Sequence, residues 1–319
     1  QEADMINVIV NPNSRSGKGM KVWNKVEGMF QDSGKEYKVY FTQFEGHAKQ
    51  IAAELTKIHS NYNSEIMIVV VGGDGTINEV INGIAFERNV VLGYIPTGSG
   101  NDFARSLKCS EKCLEYVTKR VKHILNPSEY EWLDYGVVLT GGEQVTNRRF
   151  AVSCGMGMDA EVCYDLLNSK TKRFFNRYHL TRISYLLTGI YRLLHFTPVD
   201  GVLEIDTGKK YPMTKICFVS FHIHPFEGGG FKFAPKANYS DGLIDVCMVY
   251  GRGKLSLVPI LLKAILGHHI RKKGVRIVQC KEARLIVNEP CKVHADGEAF
   301  GMQDDISVRC ISKRIRIIR

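Results

Sequence analysis

No apolar run in these 319 residues approaches the roughly 18 uninterrupted positions of a membrane-spanning helix, which argues against an integral membrane protein. A signal-peptide pattern is also missing. Gln1–Asp4 is polar and Met5–Val10 is too short for an apolar h-region, so Gln1–Asp4 reads as a foreign leader ahead of a start at Met5. The nine cysteines contain no CxxC pair, and Cys109 and Cys113 lie four apart with no second pair to complete a zinc site. Reduced thiols in a cytosolic protein are expected. There is no Walker A loop, nor the protein-kinase combination of glycine loop, HRD and DFG. Internal repeats and low-complexity tracts are absent. Acidic residues are missing from two long stretches, Leu166–Val199 and Val246–Lys281.

What is present is globular: 44% hydrophobic and 24% charged residues exclude wholesale disorder. The length suits one large domain or two ordinary ones. Residues 1–133 carry 15 Lys and Arg against 16 Asp and Glu, whereas residues 134–319 carry 28 against 17. The formal charge of +10 therefore resides in the second half. Such a field attracts polyanions: nucleic acid, anionic lipid headgroups or phosphorylated substrates.

Residues 5–130 alternate strand-like and helix-like segments. Strands are expected at Ile6–Val10, Tyr37–Phe41, Ile66–Val71 and Val90–Ile95, and helices at Lys18–Gln31, His47–Ile58, Ile77–Phe86 and Asp102–Leu107. This order predicts an α/β domain with a parallel sheet over residues 1–133. Beyond Trp132 short strand-like runs dominate: Val137–Leu139, Arg149–Cys154, Val202–Ile205, Ile216–Phe221, Leu243–Val249, Arg284–Val287 and Ser307–Ile311. A mainly antiparallel second domain over residues 134–310 follows, interrupted by helices at Tyr178–Leu194 and Leu255–Ile270.

Two glycine clusters sit between a strand and a helix. Val71-Gly72-Gly73-Asp74-Gly75-Thr76-Ile77-Asn78-Glu79-Val80 follows one strand, and Pro96-Thr97-Gly98-Ser99-Gly100-Asn101-Asp102 follows the next. Glycine lets a backbone turn tightly and approach a ligand with its N–H groups, and the helix N-terminus adds positive potential, which together suit phosphate. Asp74 would serve by holding Mg²⁺ against a nucleotide. A third loop, Asn11–Gly19, leaves the same sheet edge, where open α/β sheets bind ligands.

These segments resemble the diacylglycerol kinase catalytic family, which includes bacterial lipid kinases, sphingosine kinases and ceramide kinases. NPNSRSGKG, VVVGGDGTINEVINGI and LGYIPTGSGNDFARSL match its nucleotide motifs in order and spacing, and Thr42 with Gly46-His47-Ala48 resembles a further one. Gly228-Gly229-Gly230, Ala234–Ala237, Ser240–Val246 and His294–Glu298 match the motifs of its second half. The resemblance implies ATP and Mg²⁺ on the α/β domain and a β-sandwich lipid-substrate domain facing it across a cleft, with residues 311–319 returning to the first domain. It implies nucleotide contacts from Asn11, Ser14, Gly17, Thr42, Gly72, Gly73, Asp74, Gly75, Thr76, Glu79, Thr97, Gly98, Asn101 and Asp102. It implies Glu298 as catalytic base with Asp296 nearby, alongside Asp74, and a structural Mg²⁺ held by Asn238, Asp241 and Leu243. Some relatives carry two adjacent acids where this chain has Ser240-Asp241, so the ligand set can differ here.

The activity implied is phosphoryl transfer from ATP to a lipid hydroxyl, with diacylglycerol the first choice of acceptor. The partner implied is a lipid at an anionic membrane surface, not nucleic acid, which places the protein in the cytoplasm at the inner face of the membrane. Relatives can form homodimers, though no segment here marks a dimer surface. Lys170, Lys172, Arg173 and Arg177 interleave with Phe174, Phe175 and Tyr178, a pattern suited to anionic lipid. His222 and His224 share a face of one expected strand, with too few neighbouring ligands for a metal. An NAD kinase, whose family also uses GGDGT, and a catalytically silent lipid-binding protein are the alternatives.

Overall fold

The computed structural model describes residues 5–58, 64–109, 114–141, 145–167 and 181–319. The chain divides into two compact units, Gln1–Leu133 with Lys313–Arg319, and Asp134–Ser312.

Unit 1 is an α/β layer structure. Strands β1 (Ile6–Val10), β2 (Tyr37–Phe41), β3 (Ile66–Gly72) and β4 (Val90–Pro96) run parallel in the order β2-β1-β3-β4. β4 is buried along its whole length and β3 nearly so, which is why both read as unbroken apolar runs rather than as alternating ones. Helices α1 (Ser14–Asp32), α2 (His47–Ile58), α3 (Asp74–Gly83), α4 (Asp102–Ser106) and α5 (Leu114–Leu125) complete it. Trp23, Val26 and Phe30 of α1 pack with Val121 and Ile124 of α5 over the sheet. β1 and β3 are neighbours whose connections leave in opposite directions, to β2 and to β4. Their carboxyl ends therefore open a crevice at a topological switch point.

Unit 2 is a mostly antiparallel β-sandwich. Its strands are β5 (Tyr130–Thr140), β6 (Asn147–Phe150), β7 (Ser153–Gly157), β8 (Val199–Ile205), β9 (Lys210–Ile216), β10 (Phe218–His222), β11 (Ile244–Val249), β12 (Val275–Cys280), β13 (Glu282–Ala295) and β14 (Glu298–Ile318). The path β12-β11-β10-β7-β13-β14 is antiparallel throughout, with β8 and β9 branching from β13. Alternating inward residues such as Leu285 and Val293 of β13, and Val219 and Phe221 of β10, form the core. Helices α6 (Met158–Leu167), α7 (Thr181–His195) and α8 (Lys254–Ala264) bring a second apolar cluster through Leu193, Leu257 and Leu261.

Several expectations shift. Arg284–Val287 and Ser307–Ile311 are pieces of the long hairpin β13–β14, whose alternation is hidden by a register shift between Ile286 and Cys291. The single strand expected at Ile216–Phe221 is two strands, split at Cys217. α6 follows β7 directly, so no turn residue beyond Gly157 announces it. Among the described residues no helix is long and apolar enough to cross a membrane. The basic and aromatic segment Lys170–Tyr178 lies outside the described residues.

Candidate active site

The three loops after β1, β3 and β4 are tied to one another pairwise. Asn11 Nδ2 donates to Thr76 Oγ1 at 3.0 Å, the Ser14 and Thr97 hydroxyls meet at 2.6 Å, and the Thr97 N–H donates to the Gly72 carbonyl at 2.8 Å. Gly73 and Gly98 bring two of the loops into backbone contact. A Cβ on Gly98 would stand 2.8 Å from Gly73 Cα and 2.6 Å from Asn101 Oδ1. In the first loop Arg15, Ser16 and Gly17 adopt left-handed φ of +47°, +56° and +89°, and regular helix begins beyond them. Its N-terminus thus opens on the loop, an arrangement suited to an anion. Burial lowers the pKa of Arg15, and burial together with Arg15 and Lys25 lowers that of Lys18.

Asp74 and Glu79, both expected at the nucleotide, accept backbone N–H groups. Asp74 accepts the N–H groups of Asp102 at 3.1 Å and Phe103 at 3.2 Å, which fixes the start of α4. Glu79, expected at the nucleotide, accepts the N–H groups of Gly46 and Ala48, each at 3.0 Å, and so caps α2. The reason is geometric: both of its oxygens face the first turn of that helix. Thr42 is buried and donates its N–H to Val10. Asp102 pairs with Arg105, which also donates to the Gly100 carbonyl at 3.0 Å. Asn101 is left-handed at φ +51°, and both atoms of its buried amide lack a hydrogen-bond partner among the described residues. Phosphate oxygens accept hydrogen bonds, while a purine amino group and ribose hydroxyls also donate, so the loops and this orphaned amide fit a nucleotide.

In unit 2 the turn joining β13 to β14 carries Asp296, Gly297 and Glu298. Asp296, expected beside the base, accepts N–H groups from Ala151 at 2.7 Å, Val152 at 2.8 Å and Ser153 at 3.0 Å. It is an anchor for the turn, because three donors already occupy its carboxylate. Glu298 pairs with Arg148.

Behind the turn lies a buried cluster that no motif spacing announces. His294 Nε2 lies 3.5 Å from Asp159 Oδ2 and 3.4 Å from Glu227 Oε1, while His222 Nε2 lies 3.5 Å from Glu227 Oε2. The Gly297 N–H points at His294 Nδ1 at 3.2 Å. Burial raises the Asp159 pKa. Burial opposes a charge on His294, but Cys163, Asp159 and Glu227 outweigh it and hold the pKa well above the ordinary histidine value. The Gly297 contact works against a second ring proton, so the two influences compete on one imidazole. Asp159, Glu227 and His294 meet the spacing of a metal site. The same contact disfavours one, since Nδ1 as acceptor leaves the proton on Nε2, where a metal would bind.

Asn238, Asp241 and Leu243 lie together in the turn before β11. The Asn238 carbonyl accepts the Asp241 N–H at 3.4 Å, Asp241 Oδ1 accepts the Leu243 N–H at 3.0 Å, and the turn is fixed by buried Asp134, whose Oδ2 accepts the Gly242 N–H at 2.7 Å. This donor set is oxygen only and includes an exposed carboxylate, which fits Mg²⁺. His222 and His224 are both buried, and His224 stacks on Tyr239 with ring centres 4.9 Å apart.

Comparison with known proteins covers both units. The diacylglycerol kinase catalytic domain family matches residues 5–130, and the YegS C-terminal NAD kinase beta sandwich-like domain family matches residues 152–319. Bacillus subtilis YtlR is 27% identical over 92% of this chain and 93% of its own length. The diacylglycerol kinase of the same species is 28% identical over 92% of this chain and 90% of its own. A crystal structure of a diacylglycerol kinase from Bacillus anthracis superposes with a TM-score of 0.70 at 18% identity, covering 100% of this chain and 97% of that one. An NAD kinase from Archaeoglobus fulgidus in complex with ATP superposes with a TM-score of 0.51 at 12% identity, covering 99% and 93%, a likeness of fold.

Proposed function

The chain belongs to the diacylglycerol kinase catalytic family, and on that premise we propose that it transfers the γ-phosphoryl group of ATP to a lipid hydroxyl, diacylglycerol being the favoured acceptor. The match to the diacylglycerol kinase catalytic domain carries the lipid reading, and a small apolar cavity of about 30 Å³ in unit 2, lined by Met158, Val162, Tyr185, Phe231 and Leu261 and bordered by Asp159 and Glu227, supports it. The lining has the apolar chemistry an acyl chain needs, and the space must widen to admit one. The alternative NAD kinase reading would set a charged, hydroxyl-rich dinucleotide against this apolar lining. Undecaprenol, sphingoid bases and other glycerolipids compete with diacylglycerol for the same lining.

The three loops of unit 1 bind and orient the nucleotide, with Gly73 and Gly98 allowing the backbone close approach and Asn101 offering its unsatisfied amide. Glu298 accepts the proton of the attacking hydroxyl, while Arg148 holds its carboxylate in place. Asp296 keeps the turn rigid through its three backbone bonds. Mg²⁺, when bound with the nucleotide, supplies neutralisation of charge on the phosphoryl group. Asp74 offers a carboxylate oxygen for it, and the Asn238–Leu243 turn would hold a separate, structural Mg²⁺. The acceptor resides in a membrane, so the enzyme works peripherally at the cytoplasmic face.

The test is transfer of radiolabel from ATP to a mixed lipid extract, with identification of the product, using wild type and Glu298→Gln. Turnover should fall by roughly 10²–10⁴ in the variant, with ATP affinity unchanged. Wild-type turnover in Glu298→Gln removes the base assignment. Labelling of NAD supplied in a parallel reaction, with no lipid labelled, removes the lipid reading.

A further inference from the structure

α7 and α8 lie side by side and antiparallel. Lys254 Nζ, at the start of α8, donates to the Leu194 carbonyl near the end of α7 at 3.1 Å. Further along, Gly189 of α7 faces Leu261 of α8, whose Cδ2 would stand 3.2 Å from a Cβ added to that glycine. Each helix buries one apolar face: Leu193 on α7, and Leu257, Ile260 and Leu261 on α8. Yet each also turns apolar side chains outward. Leu187, Tyr191 and Leu194 of α7 are 53%, 56% and 42% exposed, Leu255 and Leu262 of α8 are 78% and 45% exposed, and Leu266, in the turn just beyond α8, is 64% exposed. The outward residues recur at helical spacing, so they form stripes. A surface helix of a soluble domain needs only one apolar face, so a second one calls for a partner.

Charge identifies the partner. Leu262 is followed by Lys263, and Arg271, Lys272 and Lys273 are exposed just beyond Leu266. No acidic residue occurs anywhere in Val246–Lys281. The neighbouring Lys272 amine lowers the pKa of Lys263, as expected of two ammonium groups that share a spot without an anion. A second copy docked about a two-fold axis would set these cationic rims against each other, which disfavours self-association. Apolar stripes with a rim of lysine and arginine are the composition of a helix lying in an anionic bilayer interface.

We propose that the outward faces of α7 and α8 form a docking surface for an anionic lipid bilayer, seating the exposed leucines among the acyl chains and the lysines among the phosphates. Tyr185, Gly189 and Leu261 of the same two helices line the apolar cavity, so docking delivers the bilayer to its wall. That delivery rests on the lipid-acceptor reading; the docking itself does not.

Flotation of the full chain with vesicles of phosphatidylglycerol and phosphatidylcholine, against phosphatidylcholine alone, tests it. Wild type should float with the anionic vesicles. Leu187→Ser/Leu255→Ser/Leu262→Ser/Leu266→Ser should lose tenfold or more of its partitioning, on the order expected for several lost apolar insertions. Lys263→Ser/Lys272→Ser/Lys273→Ser should lose the preference for anionic vesicles and the sensitivity to salt. Both variants should bind ATP as wild type does and phosphorylate lipid presented in detergent micelles. The proposal is overturned if wild type does not float, if both variants float like wild type, or if the leucine variant only converts a dimer to a monomer. Anionic-vesicle binding lost in both variants, with no lipid ever phosphorylated, upholds the docking surface and removes the kinase reading. Micellar lipid phosphorylated with vesicle binding untouched by the variants does the reverse.

Discussion

His294 is fully buried, and its Nε2 faces the oxygens of Asp159 and Glu227 while the Gly297 N–H points at Nδ1. When the ring takes its second proton the Gly297 contact gives way and the charge rests against Glu227; removing one partner of such a buried pair typically costs ~3–5 kcal/mol. Glu227→Gln should therefore destabilise unit 2 markedly although it preserves shape. The pH dependence has a definite sign. A histidine whose folded pKa is raised stabilises the fold fully below the ordinary histidine range, and that contribution is lost as pH rises through the raised value. The wild-type unfolding midpoint should fall with rising pH above neutrality, and Glu227→Gln should bring the fall to lower pH. Superimposable midpoint profiles for the two proteins, measured by calorimetry, would defeat this account. None of the cluster was legible in the sequence. Asp159, Glu227 and His294 are far apart along the chain, in no shared motif spacing, and only the packing of α6, β13 and the Glu227–Phe231 bridge brings them together. His294 stood inside a recognised segment, but what it touches did not.

The glycine loops are the opposite case, because strand, turn and helix start are all written within about ten residues of each other. Their local form was legible; their mutual ties were not, since the Asp74 contacts to Asp102 and Phe103 and the Glu79 contacts to α2 depend on how elements stack. Two glycines separate these contributions. Gly17 has φ +89° and open space around a Cβ, so Gly17→Ala should cost only about 1 kcal/mol of backbone strain. Gly98 faces the Gly73 backbone, where nothing flexible can give way, so Gly98→Ala must part the loops after β3 and β4. Isothermal titration with a non-hydrolysable ATP analogue should show a larger loss of affinity for Gly98→Ala than for Gly17→Ala. The reverse order would mean that the left-handed turn after β1, not the contact between the glycine loops, shapes the nucleotide site.

At the scale of the whole chain, the first unit is not finished when its last helix ends. Lys313–Arg319 belongs to it, and Arg316 and Ile317 pair in parallel with Val91 and Leu92 of β4. The strand character of the tail could be read from its alternation, but a parallel pairing made after the entire second unit has been traversed leaves no local trace. Ile315, Ile317 and Ile318 are each 1% exposed, and Ile318 joins the core formed by α1 and α5. Each buried isoleucine contributes at most about 1.5–3 kcal/mol, an upper bound because unfolded chains already bury some apolar surface. Arg120 adds a second dependence. Burial lowers its pKa, and its guanidinium donates to the Ile318 carbonyl at 2.5 Å and the Tyr94 carbonyl at 3.1 Å. Without the tail, a buried cation loses an acceptor, and the apolar flank of β4 meets water. Deleting Lys313–Arg319 should therefore lower the unfolding temperature of unit 1 and abolish nucleotide binding with it, since the loop after β4 carries Thr97, Gly98 and Asn101. Amide exchange separates folding from binding: β4 should lose protection in the truncated chain while β10 and β11 keep theirs. If β4 stays as protected as in the full chain, the tail is an accessory to the unit and not one of its strands.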